Sequence, residues 1–128
     1  MERPPEEQKI HDMVLADSAQ SYLAVTTAEN IKTNAAGQEI YEIDSIYPDL
    51  VAKLPTGEII IEEIETESTV NEQERQQWRQ LASLGYDFRL IVPLNKLETV
   101  KSMVADLTVN IQAYEVVDGQ IHWFGKNT

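Results

Sequence analysis

The chain has 128 residues, 42% hydrophobic and 25% charged, which fits one globular domain with its own core rather than a disordered segment. Its formal net charge of -12 argues against loose attachment to nucleic acid or to an anionic membrane surface, since both reward basic residues. No apolar run approaches the roughly 20 residues of a bilayer span, and the absence of cysteine excludes disulfides and thiolate metal sites. Met1-Glu2-Arg3-Pro4-Pro5-Glu6-Glu7 lacks the basic-then-apolar pattern of a secretory signal, so a cytoplasmic location without membrane attachment is expected.

In chain order, Pro4-Pro5 suit the first turn of a helix. Ile10, Met13, Val14, Tyr22, Val25 and Ala28 form an imperfect stripe interrupted by Asp17 and Ser18, which predicts a helix over about residues 5–27. Residues 29–37 are ambiguous, with a short strand ahead of a turn at Gly37 as one reading; residues 39–44 alternate like a strand or its approach. Residues 50–54 and 58–65 read as two strands joined through Pro55-Thr56-Gly57. Thr69 with Glu72, or Asn71 with Glu74, has capping-box spacing, opening a helix that runs to Leu84 with Gly85 as its stop. Val70, Trp78, Leu81 and Ala82 form its apolar face.

Residues 88–92 form a short apolar strand ended by Pro93, and the strand–helix–strand order predicts a right-handed parallel crossover. Asn95 with Glu98 opens another helix carrying Leu97, Val100, Val104 and Leu107. Val109, Ile111 and Ala113 begin a later strand, and Asp118-Gly119 turns it into Ile121, Trp123 and Phe124. Trp123 and Phe124 suit core packing or a dimer patch. The prediction is a single α/β domain over residues 1–128, a small mixed β-sheet flanked by helices.

The stretch with most chemistry is Tyr47-Pro48-Asp49-Leu50 followed by Ile59-Ile60-Ile61-Glu62-Glu63-Ile64-Glu65. Residues two apart on a strand share a face, so Glu63 and Glu65 point the same way and the hairpin can bring Asp49 beside them. Three acids at the end of a buried strand need compensation by solvent, protonation or a bound cation. Glu62 points to the other face and reads as a solvent-facing acid.

Pro48-Asp49 and Glu63-Ile64-Glu65, on adjacent strands ahead of a capped helix, resemble the core motif of the PD-(D/E)xK nuclease superfamily, the restriction-endonuclease-like fold. The resemblance spans residues from roughly 10 to 107, and it departs from the pattern where Glu65 stands in the place of the motif's lysine. It implies a metal-dependent nuclease that hydrolyses phosphodiester bonds in DNA, with Asp49, Glu63 and Glu65 as catalytic and metal-binding residues. Such oxygen donors suit Mg²⁺ or Mn²⁺. Glu65 would add a ligand or take a proton from the attacking water.

Accessory candidates are Gln77 on the helix after the motif and Asp12 or Asp17 on the first helix. Lys53 shares strand parity with Asp49 but lies roughly 13 Å further along. Arg75 and Arg79 would contact phosphate or pair with Glu72 and Glu74. His11 and His122 read as exposed residues. The alternative to a nuclease is a catalytically inactive nuclease-fold module acting in protein interaction or assembly, motivated by Glu65 and the net charge. A homodimer or a larger protein partner would fit either reading.

Overall fold

The computed structural model describes residues 3–35, 38–39 and 41–125. Helix α1 (Pro5–Ser21) starts directly after Pro4, with Pro5 in its first turn. It stops six residues short of the predicted end and passes into a 3-10 turn, Tyr22–Ala24. Thr26 then donates its hydroxyl to the Lys53 carbonyl at 2.9 Å, anchoring the chain across the sheet edge. Val25 is left more than half exposed. The stripe that α1 buries is His11, Val14, Leu15, Ser18 and then Tyr22, so polar residues complete the helical spacing that the apolar residues alone left imperfect.

Six strands follow: β1 (Ile31–Thr33), β2 (Leu50–Lys53), β3 (Ile59–Ile64), β4 (Asp87–Pro93), β5 (Asn110–Val117) and β6 (Gln120–Phe124). They lie in sequence order in one sheet. The β1–β2, β2–β3 and β5–β6 pairs are antiparallel; β3–β4 and β4–β5 are parallel. The parallel pairs are bridged by helices α2 (Glu72–Ala82) and α3 (Leu97–Met103), because parallel neighbours need a long crossover whereas a tight turn serves antiparallel ones. The fold is therefore α/β, a small mixed sheet with helices against it.

Residues 39 and 41–44 form no strand. Asp44 and Ser45 both have positive φ, and Ile43 and Ile46 make only an isolated bridge around that turn. Buried Asn34 organises the segment. Its side chain donates to the carbonyls of Tyr41 (2.8 Å) and Pro48 (2.6 Å) and accepts from the Tyr41 amide. The predicted turn at Gly37 lies outside the described residues.

Asn71 is the cap of α2, accepting from the Glu74 amide at 2.9 Å. Thr69 instead closes a capping box with Thr66 on the preceding 3-10 turn. The predicted Asn95 cap of α3 does not form. A 3-10 turn, Leu94–Lys96, precedes the helix, and Asn95 donates to Glu67 Oε1 at 2.5 Å. No described helix is long and apolar enough to cross a membrane.

Strand alternation divides the core into two layers. On one face Leu50, Ala52, Ile60, Ile64, Ile91 and Tyr114 pack against Val14, Leu15 and Tyr22 of the α1 segment. On the other Ile61, Phe88, Leu90 and Val92 pack against Trp78, Leu81, Val100 and Val104 from α2, α3 and the C-cap of α3. Glu62 belongs to the first face and is fully buried, which corrects its reading as a solvent-facing acid. Its carboxylate accepts from Ser18 Oγ at 2.5 Å and from the Tyr22 hydroxyl, which also accepts from Arg89 Nη1 at 3.2 Å. Burial and the adjoining Glu62 carboxylate push the Tyr22 hydroxyl far up, fixing it as a donor to Glu62.

Candidate metal centre

The site grows from the end of β3. Glu63 and Glu65 share the α2 face, and both are buried, with 6% and 1% of their surface exposed. The backbone of Glu65 is pinned from two sides: its amide donates to the Ile91 carbonyl, and its carbonyl accepts from the Tyr114 hydroxyl, each at 2.8 Å. Its side chain then meets α2, where the indole N–H of Trp78 donates to Oε2 at 2.8 Å. The other oxygen, Oε1, is buried and accepts no hydrogen bond from the described residues. Arg3 Nη2 approaches it to 3.8 Å, an ion pair too long to be a hydrogen bond.

Asp49 sits immediately before β2, whose Leu50 pairs with Glu62. Its amide donates to Glu63 Oε1 at 2.9 Å, and its own Oδ2 accepts from the Ile64 amide at 2.7 Å. This reciprocal pair locks the two acids named from sequence side by side. The other Asp49 oxygen, Oδ1, lies 3.0 Å from Nε2 of His11. The Nδ1 of that histidine lies 2.9 Å from Asp12 Oδ1. The imidazole is only 1% exposed and links the two aspartates, which corrects its reading as an exposed residue.

A fourth acid, Glu74, completes the group. One carboxylate oxygen from each of Glu63, Glu65 and Glu74 lies within 4.8 Å of the others. Glu74 faces the site because it stands one helical turn before Trp78, whose side chain is anchored in the core. That i, i+4 relation is the signal in the sequence that could have found it.

The electrostatics follow from crowding. Two like charges about 5 Å apart repel by roughly 3 kcal/mol at an effective dielectric of about 20. Burial, then Asp49 and Glu65, push the Glu63 carboxyl well above its ordinary range. Burial, then Glu74, push Glu65 up to about 7. Burial raises Glu74 as well. His11 is also raised: burial opposes its charged form, but the carboxylates of Asp49 and Asp12 outweigh that.

Such a group holds protons or a cation. The three glutamates would supply three of the six oxygens an octahedral Mg²⁺ takes, with water supplying the rest. The donors are all hard oxygens, and among the described residues Glu65 Oε1 accepts no hydrogen bond, its nearest cation being Arg3 at 3.8 Å. The residues fit Mg²⁺ or Mn²⁺.

No family model matches the chain, and no curated protein matches it.

The remaining sequence candidates divide clearly. Gln77 reaches the site, its amide directed at Glu63 Oε2 at 3.4 Å. Asp12 acts through His11 and also accepts from Gln8. Asp17 is elsewhere, accepting from the Trp123 indole at 2.6 Å. Lys53 is exposed at the other end of β2, opposite Ile59. Arg75 pairs with Glu72 and Asp106, and Arg79 with Asp106. His122 is exposed, opposite Glu115 on β5.

A cavity of about 570 Å³ opens over the acids. Asp49, Glu63 and Glu74 line it, with Gln73 and Gln77 from α2 and Arg3 from the segment before α1.

Proposed function

We propose that the chain is a divalent-metal-dependent phosphodiester hydrolase of nuclease type, acting on DNA. The observation that carries this reading is the trio of Glu63, Glu65 and Glu74 oxygens within 4.8 Å of one another beneath an open cavity. The resemblance of Pro48-Asp49 and Glu63-Ile64-Glu65 to the nuclease motif supplies the substrate class. Glu63, Glu65 and Glu74 would hold Mg²⁺ or Mn²⁺, with Asp49 beside them on Glu63.

When bound, such an ion polarises a phosphoryl oxygen and acidifies water. The chain's own groups fix the geometry. The Ile64 amide holds one oxygen of Asp49 and the His11 ring lies 3.0 Å from the other, the Asp49 amide holds Glu63, and Trp78 orients Glu65. Burial and Glu74 push Glu65 up to about 7 in the metal-free site, so at neutral pH Glu65 would give up that proton to a binding cation and serve as a carboxylate ligand.

Isothermal titration with Mn²⁺, paired with cleavage of plasmid and single-stranded DNA, tests the proposal. Binding and cleavage by the wild type, with cleavage lost in Asp49→Ala, are expected; neither binding nor cleavage at millimolar metal would overturn it. The non-catalytic reading, a protein-interaction or assembly module, draws on the net charge of -12 and on the use of Glu65 as a partner for Trp78. Wild-type cleavage abolished by Asp49→Ala removes that reading.

A further inference from the structure

A phosphodiester approaching this cavity meets Asp49, Glu63 and Glu74 at its wall, with Glu65 buried behind them. One divalent ion offsets part of that negative charge. The chain itself is poorly supplied with cations, having 10 lysines and arginines against 22 acids. Among the described residues, one positively charged side chain lines the cavity, and it is Arg3.

Arg3 is held with unusual definition for a residue outside the helices and strands. Its Nε donates to Thr66 Oγ1 at 3.1 Å, and its Nη2 donates to the Ile64 carbonyl at 2.9 Å. The guanidinium therefore straddles Glu65, gripping the residue on either side of it. These two bonds use one edge of a rigid planar fork. Its third nitrogen, Nη1, has no protein partner among the described residues. The side chain is 13% exposed and lines the cavity. A fixed guanidinium with unused N–H groups beside hard-cation ligands is suited to a phosphate oxygen.

Resting on the hydrolase reading above, we infer that Arg3 is the substrate-phosphate contact of this cavity. Its anchors on the Thr66 hydroxyl and the Ile64 carbonyl set the distance between the phosphate and the acids, and its unused N–H groups bind a non-bridging oxygen. The substrate class is a phosphoester whose phosphate enters beside β3. Lys53, the cation considered from sequence, sits at the opposite end of β2 and takes no part.

The test uses the whole chain, with Mn²⁺ and thymidine 5′-monophosphate as separate calorimetric probes. Wild type, Arg3→Gln and Arg3→Lys are compared, with melting curves as a check on folding. Arg3→Gln should bind Mn²⁺ at least as tightly as the wild type, since it removes a competing cation 3.8 Å from Glu65 Oε1, yet lose at least about tenfold in nucleotide affinity, because a charge-assisted fork is removed while the carboxylates remain. Arg3→Lys should fall between, retaining the charge without the fork.

Equal nucleotide affinity in wild type and Arg3→Gln, including none in either, overturns the inference. So does a parallel loss of Mn²⁺ binding, nucleotide binding and melting temperature in both variants, the mark of a merely structural role. If Arg3→Gln does not fold, Arg3→Lys decides: unchanged nucleotide affinity overturns the inference, and weakened affinity with Mn²⁺ binding intact supports it. Failure of the wild type to bind Mn²⁺ is a separate result and contradicts the metal-dependent reading instead.

Discussion

Raising the pH of the metal-free protein from 5 to 8 should weaken its folding, and adding Mn²⁺ should reverse that loss. Glu65 titrates near 7 in the folded chain against an ordinary value of 4.5. The folded state thus binds this proton more tightly than the unfolded state does. Stability associated with Glu65 is complete below about 4.5 and declines as the pH rises through about 7. The whole decline is worth roughly 3 kcal/mol, or a fall in Tm on the order of 10 °C for a domain of this size.

Glu63, Glu74 and His11 are also raised and act in the same direction. General repulsion among the 22 acids works that way too, so Glu65→Gln is the necessary control. That variant should melt higher than the wild type at pH 8 and show a shallower pH slope. Mn²⁺ at about 100 times its Kd should return roughly 3 kcal/mol to the wild type at pH 8, and distinctly less to Glu65→Gln. Thermal melts followed by circular dichroism at several pH values provide the measurement. A wild-type Tm that stays flat or rises from pH 5 to 8, or a Glu65→Gln slope equal to that of the wild type, would refute the reasoning.

Other expectations follow from the same contacts. Glu62→Ala strands the Ser18 and Tyr22 hydroxyls in the α1 layer and should cost roughly 3–5 kcal/mol in urea denaturation, as for a broken buried charge network. A cost below about 1 kcal/mol would place that network nearer to solvent than described. Glu74→Gln should leave the Tm at pH 5 nearly unchanged while weakening Mn²⁺ binding at least about tenfold by titration calorimetry. Unaltered affinity would remove Glu74 from the ligand set.

Asp49, Glu63 and Glu65 were legible in the sequence because strand side chains alternate and Pro55-Thr56-Gly57 sets up a hairpin. Those two facts place two carboxylates on one face and a third beside them. Glu74 was harder to see, since its position depends on how α2 docks, and that is set by burial of Trp78 and Leu81 rather than by local pattern. His11 was hidden for a related reason. Its stripe on α1 is half polar, and only an apolar stripe announces a buried face. Glu62 defied the rule that a charged residue on a strand faces water, because its partners come from a helix distant in sequence. Arg3 had no local signal at all: the contacts that define it are with residues more than 60 positions away.

The claim that Glu63, Glu65 and Glu74 form a cation site is tested most directly by anomalous diffraction from crystals grown with Mn²⁺. The expected result is a peak with one oxygen from each of the three glutamates at about 2.0–2.6 Å. An occupied Mn²⁺ position away from these residues, or none at millimolar concentration near neutral pH, would contradict it.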